Sequence, residues 1–129
     1  MANELEGNEQ LQKFIALLSD LNHECAETFA TGKIEILHKM NGTIREMYAI
    51  QHGGKEEAYT AIEEDAQSIY KNFNAIVAML KSNENGTFDK ATNNAVKTFL
   101  QNIFDADLRI LAAYGLRSEE HTSELQSHA

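Results

Sequence analysis

The feature that most constrains this chain is the run KEEAYTAIEEDAQSIYKNFNAIVAMLKS, residues 55 to 82. Its apolar side chains fall at Tyr59, Ile62, Ala66, Ile69, Phe73, Ile76 and Leu80, in alternating steps of three and four. Such spacing gathers one stripe on a helix and scatters it on a strand, so the run predicts a helix packed lengthwise between neighbours. It reads as the central helix of a bundle.

The rest of the chain repeats the pattern. A first helix is expected from Asn8, a favourable N-cap followed by Glu9 and Gln10, to about Phe29 or Ala30, with Leu11, Phe14, Leu18, Leu21 and Cys25 inward. Thr31-Gly32 breaks the phase, and a second helix follows from about Lys33 with Leu37, Met40, Ile44 and Met47 as its seam. Thr43-x-x-Glu46 has the form of a capping box that would start another helix, but the seam keeps phase across Gly42, which predicts one continuous helix. Gly53-Gly54 marks the next turn. Asn83 to Gly86 marks the last, with Thr87 expected as the cap of a fourth helix reaching about Tyr114.

That fourth helix carries Val96, Phe99, Ile103, Ala106, Ile110 and Ala113 on one stripe, widened by Leu100, Phe104, Leu108 and Leu111. A helix apolar over so much of its circumference is central or partnered. The expectation is an all-α, four-helix up-and-down bundle of two hairpins, associating as a homo-oligomer through Leu100, Phe104, Leu108 and Leu111. Proline is absent and strand signals are missing, in keeping with that class.

Composition narrows the function classes. With 11 basic and 20 acidic residues the chain has a formal charge of −9, a field that repels nucleic-acid phosphates and anionic lipid. The amino terminus, MANELEGNEQ, lacks the basic start and apolar core of a signal peptide, and no apolar run approaches a membrane span. One cysteine, Cys25, excludes an intramolecular disulfide, and a reducing, cytoplasmic setting is expected.

Residues 117 to 128, RSEEHTSELQSH, resemble the in-frame translation of a common short-read sequencing adapter over all twelve positions. The resemblance implies a bundle domain over 1–116, a non-native tail over 117–129, and a native carboxyl terminus lost beyond about Leu116. His121, Glu124 and their neighbours in the tail accordingly receive no role. Assembled microbial or viral reads as the source extend the expectation, by analogy, to a phage-encoded inhibitor of host defence.

Three constellations bear on chemistry. Asp20-x-x-His23 and Glu35-x-x-His38 each put a carboxylate and an imidazole on one helical face, as carboxylate-bridged metal bundles do, and a hairpin at Gly32 would bring the two faces together. The further inward glutamates of such sites are missing, which favours solvated side chains. Cys25 lies on the apolar seam, where a thiol acts as a small hydrophobe. Arg45 and Arg109, the only arginines before residue 117, pair in principle with Tyr48, Tyr59, Tyr70 or Tyr114 to clamp a nucleotide's phosphate and base, against the plainer expectation of an ion pair from Arg109 to Asp105.

No motif reaches catalytic specificity. The chain is therefore expected to be a non-catalytic binding protein without cofactor, acting stoichiometrically on a protein or small ligand, with nucleotide sequestration and metal binding as the alternatives.

Overall fold

A computed structural model describes residues 9–54, 56–82 and 89–115. Among them the chain forms four α-helices and no strand: α1 Glu9–Thr31, α2 Ile34–His52, α3 Glu63–Ser82 and α4 Lys90–Ala113, with a 3-10 helix, Glu56–Ile62, before α3. This is the expected all-α four-helix bundle. Asn8, the turn around Gly86, the cap at Thr87 and the 117–129 tail lie outside the described residues.

The inward stripes read from the sequence form one core, except that on α4 Phe99 and Ala113 are only half-buried while Leu100 and Leu111, expected on its outer face, are buried. Leu11, Phe14, Leu18, Leu21 and Cys25 of α1 meet Leu37, Met40, Ile44 and Met47 of α2, and Ala66, Ile69, Phe73 and Ile76 of α3 meet Val96, Leu100, Ile103, Ala106 and Ile110 of α4. α1 pairs closely with α2 and α3 with α4, and the two hairpins join mainly along α1 and α4. α1 and α4 are thus the two inner helices, each packed on two neighbours, whereas α3, expected to be central, packs chiefly on α4; the broad apolar face of α4 is largely consumed inside the single chain. α2 and α3 touch sparsely, leaving that edge of the bundle open.

The turns obey local chemistry. Gly32 adopts φ +68, a left-handed conformation costly for any residue with a Cβ, and its amide donates to the Thr28 carbonyl at 2.8 Å to close α1. α2 runs through Gly42 unbroken. Thr43 caps nothing; its hydroxyl donates across the hairpin to Glu24 Oε2 at 3.1 Å and back to the Lys39 carbonyl at 3.3 Å. The cap of α4 is Asp89, whose carboxylate accepts from the Thr92 amide at 2.7 Å. Hydrogen bonding from Thr92, through its side chain first and then its amide, lowers the Asp89 pKa.

The long helix expected over 55–82 is divided, with residues 56–62 wound as 3-10. Its cause lies in the register of α4 on α1, where Phe104 packs edge-on against Phe29 and Asp107 lies near Cys25. Continued downward, that antiparallel register ends α4 level with about Leu18, so Leu11 and Phe14 need another cover. The 3-10 segment supplies it: Tyr59 packs edge-on against Phe14 at 5.0 Å, and Tyr114 Oη donates to the Ala58 carbonyl at 3.3 Å. Tyr59 and Ile62, three residues apart, stack on one side of a helix with three residues per turn, and both are buried.

Candidate functional site

The open edge between α2 and α3 forms a groove of about 490 Å³. Asn41, Ile44, Arg45 and Tyr48 line it from α2, and Tyr70, Phe73, Asn74, Val77 and Lys81 from α3. Because the helices run antiparallel, the lining is ordered along its length. Asn41 and Lys81 stand at one end, Arg45 in the middle, and Tyr48 with Tyr70 at the other.

The aromatic end is firmly built. Tyr48 stacks tilted against His52, with centroids 4.4 Å apart, and meets Tyr70 edge-on at 5.1 Å. The Tyr70 phenol donates to Gln51 Oε1 at 2.5 Å, and both residues are buried. Burial first, then the neighbouring phenols of Tyr59 and Tyr48, pushes the Tyr70 pKa upward, so this hydroxyl stays a donor. Tyr48 itself remains 52% exposed, leaving ring surface for a ligand.

Charge sets this groove apart. Among the described residues no lining side chain is acidic, although acidic residues outnumber basic ones 20 to 11 in the chain. Arg45 and Lys81 are exposed and make no ion pair among the described residues. A second groove of about 580 Å³ between α3 and α4 is lined by Glu64, Lys71, Asn72 and Phe99 among others, pairs one acid with one base, and is bridged by the Asn102–Asn72 hydrogen bond at 3.0 Å.

The other residues expected at a site are dispersed. Arg109 lies away from Arg45; its Nε donates to Asp65 Oδ1 at 2.8 Å, tying α4 to α3, while Asp105, its expected partner, accepts from Gln101. Tyr114 is buried at the end of α4, bonded to Ala58, and presents no face for stacking. Of the nucleotide clamp, Arg45, Tyr48 and the buried Tyr70 share a cavity, while Tyr59 is buried against Phe14.

Asp20, His23, Glu35 and His38 are all exposed, and no three His, Cys, Asp or Glu side chains among the described residues converge to hold a metal ion. The hairpin register explains this. Thr28 contacts Met40 and Glu24 contacts Thr43, which sets residue 23 level with residue 44 or 45. Glu35 and His38 therefore lie about 10–15 Å further along the axis at 1.5 Å per residue. Spacing within each helix was correct for a shared site, and the register between helices was not.

Leu100 and Leu111, expected at an oligomer contact, are buried within the single chain, while Phe104 and Leu108 are half-buried. Exposed apolar surface on that side consists of those two with Phe29 beside Phe104. No helix among the described residues is long and apolar enough to cross a membrane.

Sequence reasoning missed Lys81, Asn41 and Asn74 as partners of Arg45 and Tyr48. A signal was present: Asn41, Arg45 and Tyr48 recur at steps of four and three on the outer face of α2, and Asn74 and Lys81 stand seven apart on α3. Family models, curated proteins and solved structures compared with this chain give no match.

Proposed function

We propose that the protein is a stoichiometric, non-catalytic binder whose binding face is the α2/α3 groove, and that its ligand joins an anionic group to an apolar ring. The carrying observation is a lining free of acids among the described residues, with Arg45 and Lys81 making no ion pair there and Tyr48 at the far end, in a chain of strongly acidic balance. Two exposed cations with no ion-pair partner among the described residues raise the local potential and favour an anion there. The groove's volume lies in the range of small-molecule sites, roughly 300–1,000 Å³. Among the described residues no serine, cysteine, histidine or carboxylate lines it, which supports binding over turnover.

Titration with anilinonaphthalene sulfonate, an apolar ring system bearing one anion, tests this directly. Fluorescence is expected to saturate at one dye per chain, and the Arg45→Gln/Lys81→Gln variant to bind at least tenfold more weakly. The Arg109→Gln/Lys90→Gln variant, with the same net charge, is expected to match wild type. Equal loss in both variants, or none in the first, overturns the assignment.

A further inference from the structure

The groove's internal order specifies the ligand further than its composition does. From Asn41 to Tyr48 the lining advances seven residues along α2, about 10 Å at 1.5 Å per residue. Over that length the chemistry changes from cationic and amide-bearing to aromatic. Lys81 and Arg45 flank the first part, and Tyr48, backed by His52 and Tyr70, forms the second. A ligand that fills the groove carries its anion at one end and its ring at the other, with a polar connection between.

Resting on the binding reading above, we infer that the α2/α3 groove is a nucleoside monophosphate site, the phosphate held between Arg45 and Lys81 and the base stacked on Tyr48. Arg45 offers a planar fork suited to two phosphate oxygens, whereas Lys81 acts as a compact charge on a flexible stem. Together they match the charge of about −1.5 to −2 that a phosphate monoester carries at pH 7. A triphosphate brings more negative charge than two cations neutralise, in a chain whose formal charge is already −9. Every base has a π face, so Tyr48 supplies affinity with little base preference. The side-chain amide of Asn41, at the cationic end, offers a donor to the phosphate, and that of Asn74, further toward the aromatic end, offers donor and acceptor to the sugar hydroxyls.

The test uses the full chain and displacement of bound anilinonaphthalene sulfonate, followed by calorimetry. AMP and UMP are both expected to displace the dye at a stoichiometry of one. Adenosine, ribose 5-phosphate and ATP are each expected to be at least tenfold weaker than AMP. Tyr48→Ala, at a half-exposed position, is expected to weaken AMP at least tenfold while leaving ribose 5-phosphate unchanged, with circular dichroism confirming its helix content. Dye binding that responds to Arg45 and Lys81, with no displacement by either monophosphate at millimolar concentration, overturns the ligand class and leaves the groove as a binding face. Absence of groove-dependent dye binding overturns both. Ribose 5-phosphate equal to AMP refutes stacking on Tyr48, and ATP stronger than AMP refutes the charge match.

Discussion

Tyr70 donates its phenolic proton to Gln51 Oε1 at 2.5 Å, joining α3 to the last turn of α2 beneath the floor of the groove. Since α2 and α3 otherwise touch sparsely, this buried bond fixes how far apart the two walls stand at the aromatic end. Tyr70→Phe strands the Gln51 oxygen, a loss of about 1–3 kcal/mol for an unsatisfied buried polar group. Urea denaturation should show that loss, and the Tyr70→Phe/Gln51→Leu double variant should recover part of it, because removing both partners leaves nothing stranded. Additive losses in the double variant would mean that the bond does not couple the helices.

The glycines of the first hairpin should respond in opposite directions. Gly42 sits inside α2 with open space where a Cβ would go, so Gly42→Ala should stabilise the chain by about 0.5–1 kcal/mol through helix propensity alone. Space is equally open at Gly32, yet its φ of +68 strains any other residue, and Gly32→Ala should lower the melting temperature. Thermal melts of the two variants side by side provide the comparison.

Asp107 is fully buried near Cys25, and neither carboxylate oxygen has a hydrogen-bond partner among the described residues. Desolvation pushes its pKa well above the usual carboxylate range, so the folded chain keeps a proton that the unfolded chain has already released. The native state then binds more protons than the unfolded state. The contribution is complete below the unfolded pKa of about 4 and declines as pH rises toward the folded value, by at most about 1.4 kcal/mol per pH unit. Asp107→Leu removes this dependence. Its stability advantage over wild type in urea should be small at acid pH and widen toward alkaline pH; an advantage independent of pH would show that the carboxyl is not neutral in the fold.

Arg109 and Asp65 join α4 to α3 at 2.8 Å, but the arginine side chain is 57% exposed and solvent screens the pair. Asp65→Asn should cost less than about 1 kcal/mol, and the cost should shrink in high salt. The same variant should leave dye binding in the groove unaltered. A change in groove affinity would tie the two hairpins together in a way their packing does not suggest.

Cys25 is buried on the α1 seam, where desolvation and then the nearby Asp107 and Glu24 carboxyls push its thiol pKa upward. With so little thiolate and no access, modification by a soluble disulfide reagent should require global opening. Its rate should follow denaturant concentration along the unfolding curve. Fast labelling of the native chain would contradict the burial of this face.

Legibility differed between the elements and the site. The α1, α2 and α4 seams were readable because burial on one helical face imposes a period that survives any choice of neighbour, and Gly32 was readable because a left-handed turn needs no tertiary partner. Residues 56–62 misled for the same reason: Tyr59 and Ile62 fit an α-helical seam, and only the register of α4 on α1, which ends α4 level with about Leu18, leaves Phe14 for the 3-10 segment to cover. Arg45 and Tyr48 were legible as an i, i+3 pair on one face. Their α3 partners were not, since nothing within a helix states which residue stands across from it.

By itself the sequence determined the four helices, the turn at Gly32 and most of the buried positions, because these follow from backbone geometry and from apolar periodicity within each segment. The tertiary structure alone decided registers and neighbours. It offset His23 from His38, drew Arg109 to Asp65, buried Tyr114 and Leu100, and left α2 and α3 apart. Contacts between helices depend on how four uneven stripes share one core, and that competition exists only once the whole chain is packed.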